Sequence, residues 1–471
     1  MLDAFENGKR LVDLPNAQGN NPFDMTVEVL EGGESKQAKL AALLPNIEDD
    51  VMYGVEWDIN NSDPRVNRIG NSSLHRSLPI QNRMRGCLMD DNGKVVKYLN
   101  PLDWTSEVRD GSQGQVMVEL PMHYRKFETD GNIRRVKISE YPLAGYHQVP
   151  LRYVSAYEAA LDRTNSSTPK LASVVNMTTA FRGGNNNADW DGTFRTLLGR
   201  PATNVSLNNF RTYARRRNGN ATAEWNAYTI SVHEEIYWLY LIEYANRNSQ
   251  APYNAEPDRN GYKQGGLGAG VTTLSGWNTF NGANPFVPCG HTDSLGNRTG
   301  VVVYSVPNDE TGEWTDQSVP RYRGIENPFG HIWKNTDGVN IMIKPNTDEN
   351  PTSDVYICED PAKFSGNGYD GYVCIGQESR TIEGFIKDII FGEYGSIIPN
   401  TTGVYGTGSI YYFCDNHYTY ITSATTLRTV IVGGYASYGS SAGLACEHSD
   451  NIPLQERSSA GTRLCFLPAK A

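Results

Sequence analysis

After Asn246 the helical signal in this chain stops, and the long stretch from 250 to 471 does not restore it. That stretch is rich in Gly, Asn, Thr and aromatic residues. Its apolar residues come in short runs: Gly300 to Tyr304, Val339 to Ile343, Val355 to Cys358, Ile410 to Cys414 and Thr429 to Val432. Short β-branched and aromatic runs bounded by turn formers read as strands. Two helices precede them. The first starts at Ser206, a good N-cap, and places Leu207, Phe210 and Ala214 on one face. The second starts at Ser231, where Ser231-Val232-His233-Glu234 fits a capping box, and its apolar face carries Ile236, Leu239 and Tyr240. Two helices followed by many short strands and long loops define the α+β class. No internal repeat is visible.

Upstream, residues 1–50 are polar and mixed, with a weak helical patch at Lys36 to Leu44, and read as a small attachment segment. Residues 51–150 alternate like strands and read as a small β-rich domain. Asp90-Asp91-Asn92-Gly93 joins Cys87-Leu88-Met89 to Val95-Val96-Lys97-Tyr98-Leu99 as a hairpin. Thr129-Asp130-Gly131-Asn132 joins Tyr124–Phe127 to Arg135–Ile138 in the same way, and Gln115–Leu120 is a further strand. A chain of 471 residues is long for one domain, and the division expected is 1–50, 51–150 and 151–471.

The 42 Lys and Arg against 53 Asp and Glu leave a net charge of −11, which argues against nucleic acid as a main partner. The one dense basic run, Arg215-Arg216-Arg217, ends the first helix, where cations oppose the negative end of the dipole. The apolar stretch Ile236 to Ala245 carries Glu243 and is too short to span a bilayer. The first residues lack an apolar h-region, so synthesis in the cytoplasm without secretory export is expected. Seven cysteines at scattered spacings do not form a disulfide framework.

Motifs for chemistry are few. Gly266-Leu267-Gly268-Ala269-Gly270 lacks the flanking strand and helix of a dinucleotide loop and reads as a flexible loop. Asp189-Trp190-Asp191-Gly192 begins like a calcium loop, but Arg200 stands where the closing Glu belongs. His233-Glu234 lacks the second His of a zinc-protease helix. Cys446 with His448, and Cys414 with His417, lack further ligands at metal-site spacing, so no metal or cofactor is expected. There is no nucleophile elbow. A catalytic carboxylate pair is a matter of spatial separation that sequence does not reveal.

From about residue 150 an ordered set of blocks carries a resemblance. Tyr153-Val154-Ser155-Ala156-Tyr157-Glu158 opens it. Ile242-Glu243-Tyr244-Ala245-Asn246 and Leu295-Gly296-Asn297-Arg298-Thr299-Gly300 follow. Tyr322-Arg323-Gly324-Ile325-Glu326-Asn327-Pro328-Phe329-Gly330-His331-Ile332-Trp333 is the strongest block and leads into Asp337-Gly338-Val339-Asn340-Ile341. Gly433-Gly434, Ala442-Gly443-Leu444 and Gly461-Thr462-Arg463-Leu464 close it. These blocks resemble the C-type-lectin-like domains of phage tail fibres and of the variable proteins of diversity-generating retroelements, the major-tropism-determinant type. Within the strongest block, Gly324 and Gly330 bracket a turn around Pro328, Glu326 and Asn327 are expected to satisfy backbone donors there, and Trp333 to pack where two sheets meet.

The resemblance implies a C-type-lectin-like C-terminal domain in a non-enzymatic virion protein, a tail fibre assembled in the host cytoplasm, that binds a host-cell surface receptor, protein or glycan. Gly434, Gly439, Gly443, Gly461 and Arg463 look like scaffold. The recognition face it implies is Tyr435, Ala436, Ser437, Tyr438, Ser440, His448, Asp450, Asn451, Arg457 and Ser459, with Tyr435 and Tyr438 as aromatic anchors outside the core. Related fibres are commonly trimers, so a homotrimer docked to other virion proteins through residues 1–50 is expected. A bacterial surface adhesin is a second reading, opposed by the missing signal peptide. A formylglycine-generating-type enzyme is a third. Such enzymes use a pair of cysteines soon after the Gly-Gly step, and here Tyr435 to Ser440 contains none.

Overall fold

The computed structural model describes residues 26–31, 34–39, 47–193, 195–251, 254–257, 263–265, 284–307 and 314–469. Strand exceeds helix in it by 35% to 16%, so the α+β reading resolves into a β-rich fold. A five-stranded antiparallel sheet orders His147–Val149, His123–Asp130, Ile133–Ser139, Met52–Asp58 and Asn67–Gly70. A six-stranded sheet orders Trp225–Ala227, Leu464–Phe466, Arg152–Ser155, Gln115–Leu120, Arg85–Met89 and Val95–Tyr98. A ten-stranded sheet carries most of the strands between 333 and 461. Both expected hairpins form, Cys87 opposite Tyr98 and Phe127 opposite Val136.

The six-stranded sheet crosses the division drawn at 150/151. Arg152–Ser155 pairs on one side with Gln115–Leu120 and on the other with Leu464–Phe466. One buried apolar cluster likewise runs from Tyr53 and Trp57 through Tyr157 and Trp238 to Val432 and Cys465. Strands before and after residue 150 therefore bury their apolar faces together.

The centre of that cluster is the helix Ile230–Tyr244, in which every residue except Ser231 is buried. Trp238 stacks on Trp57 at 6.2 Å and meets Phe127 and Phe391 edge-on at 5.3 and 5.7 Å, which joins two sheets to the helix. Its glutamates are buried too, and each has a partner. Glu243 makes a bidentate pair with Arg323 at 2.6 and 2.8 Å, Glu235 faces Arg152 at 3.2 Å, and Glu234 accepts the backbone N–H of Ile397 at 3.1 Å. That last bond displaces the capping box expected of Ser231 and Glu234. The cap is Thr229, whose Oγ1 accepts from the N–H of Val232 at 3.3 Å. Thr229→Ala removes this acceptor from a buried helix end, and urea denaturation should show a loss of about 1 kcal/mol.

The helix Leu207–Arg215 forms as expected, capped by Ser206 with Leu207, Phe210 and Ala214 buried. The basic run after it does more than oppose the dipole. Arg215 donates to the carbonyl of Pro361 at 2.5 Å, Arg216 to that of Pro169 at 3.2 Å, and Arg217 to that of Leu171 at 2.6 Å, so three guanidiniums pin two separate segments, one at 361 and one at 169–171.

Other expectations change. Glu34–Lys39 is a strand paired with Thr26–Glu31, not the start of a helix; the rest of the Lys36–Leu44 patch lies outside the described residues. Ile410 to Cys414 is a run of turns with Tyr412 and Cys414 at positive φ, and the strand lies just beyond it at Asn416–Tyr418. Asp191 is held by Arg182 at 2.6 Å. The Gly266–Gly270 loop lies outside the described residues. Among the described residues no helix is long and apolar enough to cross a membrane.

Candidate functional site

The strand Glu447–Asn451 lies in the ten-stranded sheet, antiparallel to Thr426–Val432 and parallel to Asn416–Tyr418. Alternation sends successive side chains to opposite faces. His417 sits opposite Glu447 and Tyr418 opposite His448, so His417, Thr419, Glu447 and Ser449 share one face and Tyr418, His448 and Asp450 the other.

The second face is an aromatic cluster. His448 packs 4.3 Å from Trp333, 5.3 Å from Tyr418 and 5.4 Å from Tyr438. Tyr435 and Tyr438 meet at 5.2 Å, and Tyr438 stands edge-on to Trp333 at 5.1 Å. Burial, helped by His417 and Arg457, holds the His448 imidazolium form well below its usual range. The ring is therefore neutral, and its Nε2 shares a hydrogen bond with the Tyr438 hydroxyl at 3.0 Å. The turn Ala436–Ser441 brings the tyrosines here, and it bends at Gly439 (φ 52°, ψ −125°), a conformation that suits glycine alone.

The rim is polar and apolar by turns. Asp450 receives Arg457 at 2.5 Å through its carboxylate and Arg428 at 2.8 Å through its carbonyl. Arg428 also lies over the Tyr420 ring at 5.6 Å. Leu454, Tyr420 and Ile452 are 69%, 51% and 41% exposed. Ring planes, guanidiniums and short polar groups on one rigid support suit contact by stacking and hydrogen bonding.

The scaffold reading of Arg463 holds. It is fully buried and donates to the carbonyls of Ser155 at 3.1 Å and Asn327 at 2.7 Å. Glu326 accepts backbone donors, but those of Gly290 and Thr292 at 2.9 and 2.7 Å rather than of its own turn. Trp333 lies beneath the aromatic cluster, packed on Ile431, Cys446 and Ala460.

Of the residues assigned to the recognition face, Ser440 is exposed, and Tyr435, Ser437, Tyr438, Asp450, Arg457 and Ser459 are half-buried. Three differ. Ala436 is buried against Phe286, Val287 and Val319, Asn451 is buried in its strand, and His448 is buried inside the cluster. Their side chains hold the face up and do not reach its surface. Tyr438, placed outside the core, is part of the packing on Trp333. Tyr418, Tyr420 and Arg428 belong to the face and were not in that set. The alternation of Asn416-His417-Tyr418-Thr419-Tyr420 carries the signal for two of them.

All seven cysteines are free thiols, six buried and Cys374 exposed. Burial, with Asp415 and Glu447 nearby, pushes the Cys446 thiol well up, so it stays protonated. Searches against protein-family models and curated proteins find no match to this chain.

Proposed function

We propose that this chain is a non-enzymatic receptor-binding protein of a bacteriophage tail fibre, whose C-type-lectin-like region offers the face around Tyr438 and Tyr420 to a host-cell surface receptor. The observation that carries this reading is the face itself: exposed Tyr420, stacked with Arg428, and half-buried Tyr418, Tyr435, Tyr438 and Arg457, gathered around buried Trp333 and His448 on the ten-stranded sheet. The ordered sequence blocks add the lectin-like assignment. The chain works as a homotrimer docked to the virion through residues 1–50, and trimeric display multiplies a weak single-site affinity by roughly 10²–10⁴.

Labelled protein bound to a panel of bacterial isolates tests the reading. Tyr420→Ala should lower binding by roughly 30-fold, about 2 kcal/mol, on the strain the parent binds. Its side chain is exposed, so the urea midpoint should shift by no more than about 0.5 kcal/mol equivalent. Parental binding by this variant, or binding abolished only by changes before residue 150, would place recognition elsewhere. Light scattering should return three chains per particle, and a stable monomer at micromolar concentration would remove the trimer.

A further inference from the structure

On the opposite face of the same strands lies a second constellation. Glu378, His417 and Glu447 are each at most 3% exposed, and each can bring one ligand atom within 4.8 Å of the other two. Glu447 Oε2 meets His417 Nδ1 at 2.7 Å. The remaining atoms, Glu378 Oε1, Glu447 Oε1 and His417 Nε2, make no hydrogen bond of good geometry, and the Glu378 and Glu447 carboxyls lie against each other. Among the described residues no Lys or Arg pairs with either glutamate. A second layer supports the group: Thr419 Oγ1 donates to Glu378 Oε2 at 3.2 Å, and Ser449 Oγ donates to Thr419 Oγ1 at 2.8 Å.

We propose that Glu378, His417 and Glu447 together bind one divalent transition-metal ion, with Zn²⁺ the best match. Two buried carboxylates with a single imidazole lack the positive charge that burial of anions demands, and a dication supplies it. One nitrogen with carboxylate oxygens is a donor set for zinc, whereas Mg²⁺ and Ca²⁺ favour oxygen alone. Second-layer hydroxyls that orient a ligand carboxylate are a usual feature of such sites. Glu378 follows the strand Val373–Gln377, while His417 and Glu447 come from two others, so the ion ties three segments of one sheet. The role is structural: it braces, from within, the strands that carry Tyr418 and His448 on their other side.

Untagged full-length protein, expressed in metal-replete medium and purified without chelator, should carry about one zinc per chain by elemental mass spectrometry. Dipicolinate should lower its melting temperature, and ZnCl2 should restore it. The near-isosteric variants Glu378→Gln and His417→Gln should each lower zinc content at least about 10-fold and lose the response to chelator and zinc. Another transition ion at the same stoichiometry, lost in the same variants, supports the site and corrects the metal. Metal-free wild-type protein whose melting temperature ignores ZnCl2 and MnCl2 overturns the proposal and leaves a carboxyl pair bridged by a proton. Metal retained in both variants also overturns it. If the variants do not fold, the wild-type metal content and chelator response decide.

Discussion

Glu158→Ala will destabilise the protein by about 3–5 kcal/mol, because it strands a buried ammonium. Glu158 receives Lys334 at 2.9 Å and His331 at 2.5 Å, with all three side chains almost fully buried. Burial alone would raise its carboxyl pKa, but Lys334 and His331 outweigh it and hold the group at about 2. The same burial holds Lys334 down at about 8, below its usual range. At neutral pH the two shifts act on stability with opposite signs, so the intact pair is worth little net and the loss comes from removing one partner. Glu158→Ala with Lys334→Met should therefore recover much of the stability lost in the single variant, and a double-mutant cycle in urea measures it. A carboxyl whose folded pKa is depressed contributes stability above its unfolded value, near 4.5, and loses it as pH falls toward about 2. That contribution is roughly 3 kcal/mol, and the acid limb of the stability curve should be shallower in the single variant by this amount.

Local elements were legible in the sequence wherever the physics is local. The hairpins at Asn92-Gly93 and Asp130-Gly131 follow from turn chemistry, and both pairs of strands form, the first with an irregularity between Leu88 and Met89. Ser206 caps its helix because its hydroxyl needs only the N–H of Asn209, three residues on. The second helix shows where this fails. Glu234 fits a capping box by spacing, but its carboxylate is taken by Ile397, more than a hundred and fifty residues away. The all-round burial of Ile230–Tyr244 was illegible for the same reason. Its three glutamates look solvent-facing until their partners, on strands and loops far along the chain, are known. The segment at 410–414 misled through composition: its aromatic run is strand-like, but Tyr412 and Cys414 take positive φ and turn the chain.

The site was legible in outline. The glycine and Arg463 scaffold frames the segment that carries the aromatic cluster, and six of the ten assigned side chains are half-buried there. Depth was not legible, because polar character does not distinguish a surface residue from a satisfied interior one. His448 is polar, yet Trp333, Tyr418 and Tyr438 enclose it. Shifting the strand from 410–414 to 416–418 would have put His417 and Tyr418 on opposite faces. That would have brought His417 toward Glu447, which scanning for cysteine and histidine spacing along the sequence did not do.

Trp333→Ala should cost about 3–5 kcal/mol, as large aromatic truncations in a core do. The ring is 2% exposed, and Tyr435, Tyr438 and His448 all rest on it. Its removal leaves a cavity under the turn Ala436–Ser441, which that short turn is poorly placed to fill by collapse. The tyrosines then lose the support that fixes their orientation, and under the proposed receptor-binding role a surface of preorganised rings should lose affinity without any contact from Trp333 itself. Two measurements separate this from a direct contact. The urea midpoint should fall in Trp333→Ala and stay near the parent in Tyr420→Ala. Hydrogen exchange should quicken across Glu447–Asn451 in the first variant and stay unchanged in the second. Trp333→Phe, which keeps a ring in the cluster, should recover part of both stability and binding. If Trp333→Ala retains parental exchange rates in that strand, the ring does not support the face, and the core beneath and the surface above are independent.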